Sequence, residues 1–150
     1  MLWLKTGNYY DSTVRDIKRI ILHCTATEDG VPVSVETIRK WHTSSPRNWS
    51  DIGYHYVIAL DGTIEMGRPL GKPGAHTKGE NHDSVGVAYV GGLLKGKPFD
   101  TMTAYQDMSW LMLVNSLRTV FGPLTLHGHN EFANKACPSF VVAEKYSFLY

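Results

Sequence analysis

The sequence predicts an α/β fold of the α+β kind, with a single domain whose central mixed β-sheet is flanked by helices. Three observations predict it. Short apolar runs rich in β-branched residues, such as Ile20-Ile21-Leu22 and Val85-Gly86-Val87-Ala88-Tyr89-Val90, read as buried strands. Stretches with helical spacing and helix-start signals lie between and after them. The 150 residues contain no internal repeat and no Pro/Gly/Ser linker long enough to divide them into two domains.

The elements follow in order. Residues 1–16 are polar and irregular and are expected to form an N-terminal arm, leaving residues 17–150 as the folded domain. A strand over Ile17 to Leu22 runs straight into His23-Cys24-Thr25. A helix starts after Ser34, a good N-cap, with Val35, Ile38 and Trp41 or His42 on one face. It ends near Ser44–Pro46, because a residue before proline is pushed out of helical geometry. Tyr54 to Leu60 and Thr63 to Met66 flank Asp61-Gly62, a strong hairpin signal. Residues 71–84 lack periodicity and predict a long loop, which in a compact domain tends to be functional. After the Val85–Val90 strand, Thr103 and Gln106 form the sequence of a capping box. It opens a long helix with Met108, Leu111, Met112 and Leu117 as apolar positions, stopped by Gly122-Pro123. Leu124-Thr125-Leu126 is a short strand leading to His127-Gly128-His129, and a last helix follows Cys137-Pro138.

Composition excludes several classes. Hydrophobic residues make up 43% and charged residues 19%, the balance of a globular protein and not of a disordered one. A net charge of +1, with basic residues scattered and clustered no further than short pairs such as Lys18–Arg19, argues against direct nucleic-acid binding. No apolar run approaches the ~18 residues of a membrane helix, so no membrane insertion is expected. The N-terminus lacks the basic-then-apolar pattern of a secretory signal, which points to the cytoplasm. In a reducing compartment the two cysteines, Cys24 and Cys137, are free thiols or metal ligands by default.

His23, His129 and Cys137 end strands or sit in loops and carry the donor atoms that zinc favours. His129 and Cys137 stand eight residues apart, too far for one helical turn, so a loop folding back would have to bring them together. The residues alone leave a second reading open. Seven histidines provide many accidental neighbours, and a cysteine beside an apolar segment is commonly a small buried hydrophobe. Cys24 should face away from His23 if the strand continues, which favours core packing. His42 reads as a surface or helix-packing residue.

The motifs Ile21-Leu22-His23-Cys24-Thr25-Ala26-Thr27, Asp51-Ile52-Gly53-Tyr54-His55-Tyr56 and Asp61-Gly62-Thr63-Ile64-Glu65 occur in this order. They continue with His76-Thr77-Lys78-Gly79-Glu80-Asn81-His82-Asp83-Ser84-Val85-Gly86-Val87, His129-Asn130-Glu131 and Lys135-Ala136-Cys137-Pro138-Ser139-Phe140. Together, over roughly residues 17 to 140, they resemble the type 2 N-acetylmuramoyl-L-alanine amidases, whose domain is shared by the peptidoglycan recognition proteins. The resemblance implies that His23, His129 and Cys137 hold one Zn2+ per chain in a surface groove. It implies that Tyr54 and Lys135 are catalytic and that His76 and Asn81 bind substrate. His127 falls on no ligand position. Receptors of the superfamily that lack activity characteristically lack the cysteine, so Cys137 marks an enzyme. The implied substrate is bacterial peptidoglycan, cut between N-acetylmuramic acid and L-alanine, most simply by a monomeric phage endolysin. Such an enzyme would wait in the host cytoplasm until the membrane opens. An endogenous amidase and a non-catalytic peptidoglycan-binding module are the alternatives. A phage member of the family also binds a phage RNA polymerase through its N-terminal region, which makes that polymerase a further expected partner.

Overall fold

The computed structural model describes residues 15–150. Apart from Arg15 and Asp16, the arm expected over residues 1–16 lies outside the described residues, and so does the polymerase contact tied to it.

Strand β1 (Arg19–Cys24) is the middle of the architecture. It pairs in parallel with β5 (Ser84–Tyr89) on one side and with β8 (Thr125–Gly128) on the other. Strand β3 (Tyr56–Ile58) extends the sheet beyond β5, and β4 (Ile64–Met66) closes that edge as the antiparallel arm of the Asp61-Gly62 hairpin. The order is β4-β3-β5-β1-β8, so the sheet is mixed, as its sequence predicted. A second small sheet joins β2 (Thr27–Glu28), β6 (Gly92–Leu94) and β7 (Lys97–Pro98). The sequence did not foreshadow it, since strands of two or three residues leave no periodic signal.

Alternation along β1 assigns the two faces. Ile20, Leu22 and Cys24 join the larger core with Tyr56, Val87 and Tyr89. Helix α2 (Ala104–Phe121) covers that face with Trp110, Leu113, Val114 and Leu117. Helix α1 (Val35–Thr43) packs Ile38 against Ile52, Val57 and Val90 on the other face. Ser34 caps α1 by accepting from the Thr37 amide, and the helix ends at Ser44. Of the two residues considered for its inner face, His42 is buried and Trp41 is exposed. A short helix α3 (Val142–Lys145) follows Cys137-Pro138 and buries Val142.

One expectation about α2 is corrected. Met108 and Met112, assigned to its apolar face, are 61% and 59% exposed. Leu117 is buried and Leu111 packs against the core, as expected, but the rest of the inner face is Trp110, Leu113 and Val114 rather than the methionines. Both the methionines and the residues that are buried fall at helical spacing, and the capping geometry decides between them. Gln106 completes the capping box by accepting from the Thr103 amide, and its Nε2 donates to the carbonyls of Ile58 and Val90 on the sheet. That anchor fixes the rotation of the helix and turns both methionines outward. Among the described residues no helix is long and apolar enough to cross a membrane.

Candidate functional site

The site sits where β1 and β8 end side by side. Ligand sites in open sheets with parallel strands form beyond the carboxyl ends of those strands. His23 is the fifth residue of the six-residue β1, and His129 follows β8 directly. Odd–even alternation sends His23 to the α1 face and Cys24 into the α2 core, so the two neighbours separate as the sequence predicted. Cys137 arrives from the loop after His129. That loop folds back through the Asn130 amide, which donates to the Cys137 carbonyl at 2.7 Å, and the Asn130 side-chain amide, which donates to the Phe140 carbonyl at 3.0 Å.

One donor atom from each of His23, His129 and Cys137 lies within 4.8 Å of the other two. His23 is buried, while His129 and Cys137 are half-buried at the mouth of a groove. Burial, then the neighbouring His129 and Lys135, hold the His23 pKa well below the ordinary histidine value. Burial and Lys135 lower His129 in the same direction. Both imidazoles are therefore neutral at pH 7 and have a lone pair to offer. Contact with the Cys24 thiol, and then burial, push the Cys137 thiol up. His127 points elsewhere, between Thr125 Oγ1 at 2.9 Å and Glu131 Oε1 at 3.0 Å.

Two clefts meet at this cluster, and His129 and Lys135 border both. The larger, about 500 Å³, runs past Trp49, His76, Thr77, Asn81 and Phe132. The smaller, about 310 Å³, passes Thr25, His42, Arg47, Tyr54 and Cys137. The Tyr54 ring centroid is 5.1 Å from that of His23. Burial, and after it the nearby cysteine sulfurs, drive the Tyr54 pKa far above that of a free phenol. Tyr54 therefore keeps its proton and can act as a hydrogen-bond donor. Lys135 is exposed on the rim, two residues before Cys137.

His76 and Asn81 both border the larger cleft but make different contacts. The Asn81 side chain turns back on its own loop, its Oδ1 accepting from the amides of His76 and Thr77 at 3.0 Å each. His76 is 8% exposed and lies behind His23, with its Nδ1 2.9 Å from His23 Nε2. Arg15 and Arg19 were not singled out in the sequence, yet they pin the loop over residues 71–84. Arg15 donates to the carbonyls of Leu70, Asn81 and Ser84, and Arg19 pairs with Glu80 and Asp83. Their partners are mostly backbone atoms more than fifty residues away, which no local pattern encodes.

Residues 13–140 match the N-acetylmuramoyl-L-alanine amidase family. The endolysin of Escherichia phage T7 is 43% identical over 122 residues, covering 81% of this chain and 80% of that protein. The endolysin of Klebsiella phage KP32 is 40% identical over 127 residues, covering 84% and 83%. Among solved structures, the N-acetylmuramoyl-L-alanine amidase LysC from Clostridium intestinale aligns with a TM-score of 0.77 at 28% identity, over 96% of this chain and 93% of that one. With a family match across most of its length and two phage endolysins at 40% identity or more, the chain belongs to the N-acetylmuramoyl-L-alanine amidases.

Proposed function

We propose that this amidase of the phage endolysin type works with one zinc ion held by His23, His129 and Cys137. The observation that carries the reading is the convergence of two imidazole nitrogens and one thiol sulfur, from separate parts of the chain, within 4.8 Å. Two nitrogens and a sulfur suit zinc and do not suit magnesium or calcium, which prefer oxygen. Three protein ligands leave a position open, the pattern of catalytic rather than structural zinc. When bound, zinc supplies Lewis acidity and a nucleophile at neutral pH by lowering the pKa of water towards ~7.

The remaining work falls to the chain's own groups. The substrate is peptidoglycan, and the bond cut joins the lactyl group of N-acetylmuramic acid to L-alanine. The two clefts give the glycan and peptide halves separate paths away from the metal cluster. Trp49 and Phe132 provide apolar walls in the larger one. As the carbonyl oxygen gains negative charge, the Lys135 ammonium on the rim stabilises it. The Tyr54 hydroxyl, protonated at neutral pH, donates a hydrogen bond to the same developing charge or to the attacking water. All three ligands come from one chain, which supports action as a monomer.

The test is digestion of purified peptidoglycan with and without a zinc chelator, read by mass spectrometry of the soluble products. Peptides with a free N-terminal L-alanine, lost on chelation and restored by added zinc, are expected. Intact muropeptides, from protein carrying one zinc per chain, would refute hydrolysis and leave a binding module. Cys137→Ser is expected to lower the zinc retained after dialysis well below one per chain, and full retention would remove Cys137 from the ligand set.

A further inference from the structure

His23 has two ring nitrogens, and only one can serve a metal. Nδ1 faces Cys137 Sγ at 3.8 Å. Nε2 faces away from the cluster, 2.9 Å from His76 Nδ1 and 3.3 Å from Thr77 Oγ1. At a nitrogen–nitrogen contact of 2.9 Å between two neutral imidazoles, one nitrogen must carry a proton and the other must not.

The far side of His76 decides which. Ser84 Oγ lies 2.7 Å from the Glu80 carbonyl oxygen, which can only accept, so the serine proton is committed there. Ser84 Oγ also lies 3.2 Å from His76 Nε2 and must accept from it. Neutral His76 is then protonated on Nε2 and bare on Nδ1. The chain of bonds has one direction: His23 Nε2–H to His76 Nδ1, His76 Nε2–H to Ser84 Oγ, Ser84 Oγ–H to the Glu80 carbonyl. Thr77 Oγ1, 3.0 Å from His76 Nδ1, lies within reach of the same His23 proton as a second acceptor.

Two glycines make room for this arrangement. A Cβ at Gly86 would stand 2.5 Å from Cγ and Cδ2 of the His76 ring, and a Cβ at Gly74 would stand 2.6 Å from Cδ2. Any larger residue at either position would displace the ring. Gly86 is on β5 opposite Ile21 of β1, so the His76 ring is held by the same sheet that carries His23.

We propose that His76 is a positioning residue: through a Ser84-anchored hydrogen-bond chain it fixes the proton of His23 on Nε2 and keeps Nδ1 free for the metal. This rests on the zinc reading above. It places His76 behind a ligand and not against the substrate. Ligating histidines generally give their other N–H to an acceptor that sets tautomer and ring orientation, and losing such a partner costs roughly 10–100-fold in metal affinity.

Two measurements test it. The first is the zinc dissociation constant, from competition with a chromophoric chelator. His76→Ala is expected to weaken zinc roughly 10–100-fold, while His76→Asn, whose Oδ1 can accept near the position of Nδ1, recovers most of the loss. Gly86→Ala is expected to weaken zinc although it touches no ligand. The second is long-range nitrogen–proton NMR of the imidazoles in metal-free protein. His23 is expected as a pure Nε2–H tautomer in wild type, as a mixture in His76→Ala, and partly redistributed in Ser84→Ala. Wild-type zinc affinity in a folded His76→Ala, or an Nδ1–H tautomer of His23 in the wild type, would overturn the proposal. A wild-type protein that binds no zinc would instead sink the metal reading, and the NMR experiment would still decide the direction of the chain.

Discussion

At the scale of single residues, the site is a set of neutral or protonated groups kept so by burial. Tyr54 is the sharpest case. Its pKa is raised by burial and by neighbouring sulfur, so in the proposed mechanism it serves as a donor. Tyr54→Phe removes that donor and little volume. It should retain one zinc per chain and the wild-type melting temperature while losing about 100-fold in kcat, the scale of a lost oxyanion donor. Activity within about twofold of wild type would remove Tyr54 from the reaction. Lys135 differs because it is exposed and contributes charge. Lys135→Met should lower kcat with zinc affinity nearly unchanged, measured by the same chelator competition. His76 borders the larger cleft and also reaches His23 Nε2 with its Nδ1 at 2.9 Å.

At the scale of elements, helix α2 holds the larger core in place. The Thr103 hydroxyl accepts from the Gln106 amide and donates to the Leu60 carbonyl, so one side chain caps the helix and ties it to the hairpin. Thr103→Ala should cost about 1 kcal/mol or somewhat more in urea unfolding, the usual loss for an N-cap. Met112→Glu, on the outward face, should stay within about 0.5 kcal/mol. Trp110→Ala should cost about 3–5 kcal/mol, since the indole is fully buried against Tyr146. Equal effects at Met112 and Trp110 would mean that the rotation of α2 is wrong. The long loop over residues 71–84 is ordered by a different device. Arg15 and Asn81 satisfy its backbone groups and Arg19 pairs with its Glu80 and Asp83 carboxylates, which lets a segment without regular structure hold His76 in a fixed position.

At the scale of the whole molecule, buried neutral histidines link stability to pH. His55 accepts from the Gly86 amide at Nδ1 and donates from Nε2 to the Lys72 carbonyl, and burial lowers its pKa to about 3. Arg15 and Arg68 face it and push in the same direction. His42 accepts from the Gly53 amide, and burial, with Arg47 and Arg68 nearby, lowers its pKa to about 4. In the unfolded chain both would titrate near 6.5. Between that value and their folded pKa values the unfolded state binds more protons, so their contribution is complete above about pH 6.5 and is lost as pH falls towards 4 and then 3. The urea midpoint of metal-free protein should therefore fall between pH 7 and pH 4.5. His55→Asn, which keeps an acceptor for the Gly86 amide without a titrating ring, should show a shallower fall. A flat profile in wild type would contradict the neutral, buried state of these rings.

The sequence by itself determined the elements and the family. Periodicity located the strands β1, β3 and β5, Ser34 and the Thr103/Gln106 pair marked the starts of α1 and α2, and Asp61-Gly62 marked the hairpin. These signals are local, carried by residues within one or two turns of one another. The ordered motifs, read as a resemblance, also named His23, His129 and Cys137, the three residues whose donor atoms the fold brings together. Tertiary structure decided everything that depends on direction. It chose which face of α2 is buried, through a glutamine that reaches the sheet. It brought the three metal-type donors within 4.8 Å by setting β8 beside β1 and folding the last loop back. It turned Asn81 onto its own backbone, and it placed His76 behind His23 in the space left by Gly74 and Gly86. The physical reason is the same in each case. A hydrogen bond between groups fifty residues apart depends on distance and angle in space, and a linear sequence carries the donors and acceptors without saying which will meet.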